Sequence, residues 1–427
     1  MKNENKIIFL SLNELNFDLI ENYLKKKDLD NFKKIKKNLI TTTSENNYNL
    51  LEPWIQWVSI YFGKAAKEHG IFRLGDNTSK ISKNIFNSLE EKGFKVGAVS
   101  PMNIYNNLKK PSFFIPDPWS DTKSDNNFWS KIIKIFTSKL VKDNARNNLN
   151  IKSYFYLILC FLKFVRFKRY FLFLKIFFKS RNKKWFKAIF LDLFLHEFHL
   201  NRIKKTKVNF SNIFFNSIAH IQHHYFFNSK NKFNKNLSNP KWYINKNEDP
   251  LKDALDVFEV VLDDYFKDFK EYKFILATGL SQIPYDTVKY YYRLKNHKIF
   301  FNKFGIKFEK ISELMSRDFF IRFKTKKDVL KNIKLVKNIK TLEGKKIFSD
   351  LQIKGNDLFV TLAYSSEITN QKIKTQSSEI IKLFDYVDFV ALKNGMHHGK
   401  GYLYIDDFFI KKDINIINIK KEIEKLF

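Results

Sequence analysis

The chain has 427 residues, 44% of them hydrophobic, enough for two average domains or one large α/β domain with insertions. Its formal net charge of +33 favours anionic partners: nucleic acid, anionic lipid, or phosphorylated and sulfated substrates. No nucleic-acid-binding motif accompanies the charge, the single cysteine (Cys160) excludes an internal disulfide, and nowhere do about eighteen apolar residues run uninterrupted. A reducing, cytoplasmic compartment is therefore expected, with the inner face of a membrane as the place where so basic a chain would act.

Ile7-Ile-Phe-Leu-Ser-Leu12 is too short for a signal peptide and reads as a buried strand. It ends in Asn13-Glu-Leu-Asn-Phe-Asp18, a polar loop leading into a helix over about Phe17–Lys27. In open α/β sheets ligands sit at the carboxyl ends of strands, which puts Asn13 and Glu14 where chemistry happens.

Glu52-Pro-Trp-Ile-Gln-Trp57 reads as a helix start, with Pro53 in the first turn and Glu52 near the N-cap. Free N–H groups there attract anions, so Gln56, Trp57 and Arg73 are candidate substrate-binding residues, together with Thr278 further on. A charged Glu52 beside an anion must bind metal, hold a proton or pair with a cation such as Arg73. The plainer reading is a buried helix with Glu52 as an exposed cap.

Ile85–Lys92 reads as a helix stopped by Gly93, Lys95–Ser100 as the next strand, and Pro111–Pro118 as a loop. Residues 126–208 are dense in Phe, Leu, Lys and Arg and lack any strand rhythm. They read as a helical insertion, a lid expected to stand apart from the sheet or a membrane-surface element, with a helical subdomain packed on the core as the alternative. The rest, 1–125 and 209–427, reads as one α/β domain.

Asn216-Ser-Ile-Ala-His220-Ile-Gln-His223-His224-Tyr225 holds three of the nine histidines. On a helix they share a face, which is half of a metal site. The other half comes from His397 and His398. Ordinary hydrogen-bonded histidines are the alternative reading. Between these clusters, Pro250–Phe269 is an amphipathic helix, and Phe274–Thr278 is a strand with Gly279–Pro284 as its exit loop. Asp357–Ala363 and Val387–Leu392 read as later strands. The strands beginning at Ile7, Lys95, Phe274, Asp357 and Val387 are expected in one mostly parallel sheet with helices on both faces.

The order of these pieces resembles the alkaline phosphatase superfamily, in particular its phosphodiesterase and nucleotide-pyrophosphatase-like branch. The first strand and its polar loop resemble that family's first metal-binding loop. Trp57–Gly63 resembles its nucleophile helix with the trailing Gly, and Glu68-His-Gly-Ile71 its His-Gly-Ile segment. Asn216–His220 is similar to the Asp-x-x-Gly-His segment, Ala277–Ser281 stands in the place of Ser-Asp-His-Gly-Met, and His397-His398-Gly399 resembles the C-terminal metal histidine. Antiparallel hairpins among the five strands, or their division between separate sheets, would show the resemblance to be wrong.

The resemblance implies an alkaline-phosphatase-like fold and a zinc-dependent hydrolase or transferase acting on a phosphate or sulfate ester. Several positions depart from the pattern. Asn13 and Asn216 replace aspartates, Thr278-Gly279 replaces an Asp-His pair, and Pro53 stands where a Thr or Ser nucleophile would be. The implied metal set is Asn13, Asn216, His220 and one or both of His397 and His398, holding one divalent metal ion instead of two. Glu52, His223, His224 and Glu14 are left as the catalytic candidates. A site without metal, in a degenerate relative that binds an anionic glycan, lipid head group or partner, is the second reading. A peripheral membrane scaffold is the third.

Overall fold

The computed structural model describes residues 5–25, 28–142, 151–229, 237–314, 317–406 and 413–427; side chains at 141, 142 and 151–154 are left out of the description. The chain forms two compact units. One comprises Met1–Phe233, Asn247–Pro284 and Gly395–Phe427, and the other Asn234–Lys246 and Tyr285–Asn394.

The first unit is α/β, built on an eight-stranded sheet. Its order is Ile414–Asn415, Ile40–Thr43, Lys400–Ile405, Lys273–Ala277, Ile7–Leu12, Phe210–Phe215, Val96–Val99 and Phe113–Ile115. The five strands from Lys273 to Phe113 in that order run parallel, and Lys400–Ile405 runs antiparallel to both of its neighbours. Ile7–Leu12 is buried at every position, as the centre of a parallel sheet requires.

The pleat sends alternate residues to opposite faces, and helices cover both. On one face Phe9 meets Trp57 and Tyr61, each at 6.3 Å between ring centroids. On the other, Phe215 meets Phe258 at 5.2 Å and Phe274 meets Phe266 at 4.9 Å. Each fully buried aromatic of this kind contributes about 2–3 kcal/mol of burial.

Several elements differ from the sequence reading. The helix after the first loop is only Glu21–Leu24 among the described residues, and Phe113–Ile115 is a strand within the segment read as a loop. Ser281 opens a fourteen-residue strand, Ser281–Leu294, in place of an exit loop. Residues 126–208 are helical where described: Phe128–Lys142, Ile151–Phe164, Tyr170–Ser180 and Trp185–Thr206. They do not all stand apart from the sheet. The last helix is buried along most of its length, and its His199 ring lies 5.7 Å from Phe113 of the edge strand. Its buried polar residues Asp192, His196, Glu197 and His199 are accommodated because each has a partner inside the unit.

Asp357–Leu362 and Val387–His398 do not join the large sheet. Asp357–Leu362 pairs antiparallel with Phe348–Lys354 and with Asp318–Arg322, in a four-stranded sheet of the second unit. That unit has its own core, which includes Phe300, Phe301, Phe319, Ile321 and Leu358. Val387–His398 pairs with Ser281–Leu294, and it extends far enough to carry His397 and His398 on its end.

Candidate metal centre

The site begins where Ile7–Leu12 stops. The Asn13 N–H donates to Phe215 O at 3.1 Å and the Glu14 N–H to Thr278 O at 3.0 Å. The loop is thus fastened to both neighbouring strands at their carboxyl ends. Glu14 is held at φ 59°, a left-handed conformation that costs an L residue on the order of 1 kcal/mol and concentrates at functional sites. Its side chain is buried. Asn13 Nδ2 donates to Oε1 at 3.0 Å, and Gln282 Nε2 donates to Oε2.

The histidine helix is Ser217–Tyr225. Its first N–H groups, those of Asn216 and Ser217, donate to Asp192 Oδ2 at 3.0 and 2.7 Å. Burial pushes the Asp192 carboxyl up to about 6, against the pull of these bonds. Near the end of the helix, His223 Nδ1 lies 3.0 Å from Gly395 O. Gly395 must be glycine here, because a Cβ would come within 2.2 Å of Gln282 Oε1 and 2.7 Å of Gln222 O. From the end of its strand, His397 turns Nδ1 to within 3.4 Å of Glu52 Oε2.

Three donor atoms converge. Glu14 Oε2 is 3.1 Å from His223 Nε2 and 3.4 Å from His397 Nε2, and the two Nε2 atoms are 3.2 Å apart. Tetrahedral zinc with bonds of roughly 2.0–2.1 Å requires donor separations of about 3.3 Å. All three edges fit. The proton inventory points the same way. Each Nδ1 faces an oxygen acceptor, a carbonyl for His223 and a carboxylate for His397, so each Nδ1 carries the hydrogen. Both Nε2 lone pairs then face a carboxylate. Three electron-rich atoms at these separations need a cation or protons between them. Burial alone would raise the Glu14 carboxyl, but His223 and His397 hold it well below the usual carboxylate range.

The remaining sequence candidates are placed as follows. Asn13 Oδ1 accepts from Trp57 Nε1 at 2.8 Å, and its Nδ2 also donates to Asn216 Oδ1 at 2.8 Å. Both amide side chains take part in the hydrogen bonds that position the loop, and neither belongs to the triangle of donor atoms described above. Trp57 is fixed from the other side by Gly279 at φ 73°, where a Cβ would meet the indole at 2.9 Å. Gln56 Nε2 donates to Leu50 O at 2.6 Å, while its buried Oε1 has no hydrogen-bond partner among the described residues. Thr278 Oγ1 accepts from the Tyr402 N–H at 2.9 Å. His223, and not His220, meets His397; the His220 ring lies against His224 at 4.7 Å. Of the adjacent pair, His397 enters the triangle and His398 does not; its buried Nδ1 has no hydrogen-bond partner among the described residues. The Arg73 N–H donates to Asp76 Oδ2 at 2.8 Å in the loop after the Pro53 helix.

Ser59 Oγ lies 3.1 Å from His69 Nε2, which invites a nucleophile–base reading. The Ile71 N–H donates to His69 Nδ1 at 3.1 Å, so Nε2 carries the proton and donates to the serine. That is the reverse of general-base activation, and the pair ties helix to loop.

Four contributors escape a reading of the sequence: Asp192, Gln222, Gln282 and Gly395. Gln222 Nε2 donates to Glu14 O at 2.8 Å, and Gln282 Nε2 also donates to Ala219 O at 3.0 Å. Only Gln222 sits inside a stretch that the sequence marks out, between His220 and His223.

A second group of potential ligands is His196, Glu197 and Asp264, all buried. Here Arg166 Nη2 reaches Glu197 Oε1 at 2.6 Å and Asp264 Oδ2 at 2.5 Å, and Arg169 Nη2 reaches Asp264 Oδ1 at 2.6 Å. Guanidinium groups already hold the place a metal ion would take.

No family model and no curated protein matches the chain. Among solved structures it is similar to murine ectonucleotide pyrophosphatase/phosphodiesterase 5, at 11% identity and a TM-score of 0.46, covering 99% of this chain and 95% of that one. It is also similar to the alkaline phosphatase PafA, at 12% identity and a TM-score of 0.45, over 98% of this chain and 95% of that one. A third is phosphonoacetate hydrolase from Sinorhizobium meliloti 1021 in complex with phosphonoformate, at 10% identity and a TM-score of 0.44, over 98% and 94%.

Proposed function

We propose that the chain hydrolyses or transfers a phosphate or sulfate ester at a single divalent-cation site, held by Glu14, His223 and His397. The observation that carries this reading is the donor triangle of 3.1, 3.2 and 3.4 Å, with both Nδ1 hydrogens turned away from it. Zinc suits two imidazoles and one carboxylate, a ligand set that leaves the fourth position open.

When bound, such an ion supplies Lewis acidity toward an ester oxygen and lowers the pKa of water. The chain's own residues do the rest. Glu14 brings the one full negative charge, so the filled site keeps a net positive charge and attracts an anionic ester. Glu52 orients His397 through Nδ1, and with its side chain 34% exposed it can also take or give a proton. Gly395 O fixes the tautomer of His223. Pro53 offers no side-chain nucleophile, and the Thr278 and Ser59 hydroxyls are engaged elsewhere, so water is the acceptor this site supports best.

The absence of a nucleophilic side chain at Pro53 favours the second reading, a binder of anionic glycans or head groups that has lost turnover. Metal analysis of the purified chain, paired with turnover of aryl phosphate monoesters, diesters and sulfates, tests the proposal. About one equivalent of zinc, with turnover lost in His223→Ala, supports it. Metal without turnover supports the binder. A chain that takes up no divalent ion overturns both the site and the reaction.

A further inference from the structure

We propose that the helices Ile151–Phe164 and Tyr170–Ser180, with the turn between them, dock the protein on an anionic lipid surface. Each helix leaves an apolar stripe in solvent at the same spacing: Phe155, Ile158 and Leu162 on the first, Phe171, Leu174 and Phe178 on the second. Opposite faces are buried through Cys160 and Phe164, and through Phe173 and Ile176. The two helices touch near the turn, where Phe161 contacts Tyr170 and Phe173 with ring centroids 5.2 and 5.1 Å apart. At the turn, Phe167 is 86% exposed. Large apolar side chains left in solvent at helical spacing on both helices and at the turn between them mark an interaction site.

Charge selects the partner. From Ile151 to Leu191 there are eleven Lys or Arg residues and no Asp or Glu. Arg166, Lys168 and Arg169 are drawn to Asp264, which fixes the turn to the body of the unit. Lys163, Lys175, Arg181, Lys184 and Lys187 are exposed among the apolar residues. Arg181 lies over the Phe177 and Phe178 rings at 5.6 and 5.2 Å, so cation and aromatic present one surface. Basic residues interleaved with aromatics match the boundary between anionic head groups and acyl chains. A second copy of the chain fits badly, because a symmetric pairing would set this uniformly basic face against itself.

The element lies on the bilayer and does not span it. The helices have 14 and 11 residues. At 1.5 Å per residue they reach about 21 and 17 Å, against a hydrocarbon core of about 30 Å. No helix among the described residues is long and apolar enough to cross a membrane.

The test is co-sedimentation of the full chain with vesicles of phosphatidylcholine alone and of phosphatidylcholine with phosphatidylserine. Binding is expected with phosphatidylserine only, weakening with added salt. Lys175→Glu with Arg181→Glu should lower it more than about twentyfold, at roughly fivefold for each basic residue removed. Phe171→Ser with Leu174→Ser should lower it at least as far. Both pairs are exposed, and an unchanged melting temperature confirms that each variant is folded. Equal binding to both vesicle types, or none to the anionic ones, overturns the proposal. So does a dimer in lipid-free buffer that the Phe171→Ser, Leu174→Ser variant dissolves, which would assign this face to self-association.

Discussion

The Glu14 cluster and the His196–Glu197–Asp264 cluster both set imidazoles against buried carboxylates, yet they draw positive charge from different sources. Around Asp264 the chain supplies permanent cations: Arg166, Arg169 and, at 3.3 Å, Lys168. Around Glu14 the contacts are amides and two imidazoles, whose charge depends on a proton or a metal ion. The first arrangement is complete as folded. It fastens the turn at Phe167 to the helices Trp185–Thr206 and Pro250–Asp268. The second, on the proposed reading, takes its cation from a bound ion. Ligand-rich clusters therefore separate by who provides the cation, and the separation can be tested.

The largest effect should come from Arg166→Met. It leaves Glu197 and Asp264 buried, with side-chain exposures of 0% and 2%, and short of their main cation. Breaking a buried pair from one side costs about 3–5 kcal/mol, measurable by urea unfolding at pH 7. The pH dependence has a definite sign. In the wild type, burial would raise the Asp264 carboxyl, but His196, Arg166 and Arg169 hold it well below its usual value. Its contribution is therefore present above pH 3.8 and lost only as the pH falls further. In the variant the carboxyl shifts upward, so the penalty is present at neutral pH and shrinks as the pH falls toward about 4. A deficit that grows on acidification would break this account. Metal content should not change.

Next in size is the response to zinc. At about a hundredfold excess over Kd, binding should stabilise the wild type by about 2.7 kcal/mol. His223→Ala and His397→Ala should lose that increment, while Arg166→Met should keep it. Thermal melts with zinc and with chelator report all three. A zinc response that survives His223→Ala would move the site elsewhere. A response lost in Arg166→Met would mean that the two clusters are not independent.

The same contrast shows what is legible in the sequence. The Glu14 cluster shows through because histidines are few and repeat at helical spacing. Its partners Gln222, Gln282 and Gly395 do not, because amides and glycine become informative only through what they touch. The choice of His223 over His220 depends on how the histidine helix is turned toward the end of a strand distant in sequence, and no spacing rule supplies that. The Arg166 cluster is hidden by composition: in a chain with 77 Lys and Arg, three more beside a Phe-rich run read as background. Two of the five strands expected in the large sheet lie outside it, which counts against reading the whole chain by the superfamily's pattern. A local signal for Asp357–Leu362 does exist. Gly355-Asn356, with Gly355 at φ 61°, is a two-residue hairpin turn joining that strand to Phe348–Lys354. The strands at Ile7, Val96 and Lys273 do share the large sheet, and Ile7–Leu12 and Lys273–Ala277 lead directly into Glu14 and Thr278.

The smallest effect, and the finest division between a site and a cap, is that of Glu52→Gln. Glu52 precedes the first turn of Pro53–Phe62 at φ −112° and ψ 136°, the backbone of an N-cap residue, but its side chain makes no capping hydrogen bond. A Glu52 that served only as a cap would therefore lose no capping hydrogen bond on becoming Gln. Its carboxylate lies 3.4 Å from His397 Nδ1 instead. Glutamine keeps the shape and one oxygen acceptor but removes the charge that strengthens the imidazole as a ligand. Outer-shell changes of this kind lower metal affinity about 10–100-fold, or roughly 1.4–2.7 kcal/mol. Zinc affinity measured by competition with a chelating dye should fall by that factor, with the melting temperature of the zinc-free protein unchanged. Glu52→Asp, which keeps the charge on a shorter arm, should recover part of the loss. Equal zinc affinity in the wild type and Glu52→Gln would show that His397 is oriented without Glu52, and would leave the Pro53 helix start outside the metal centre.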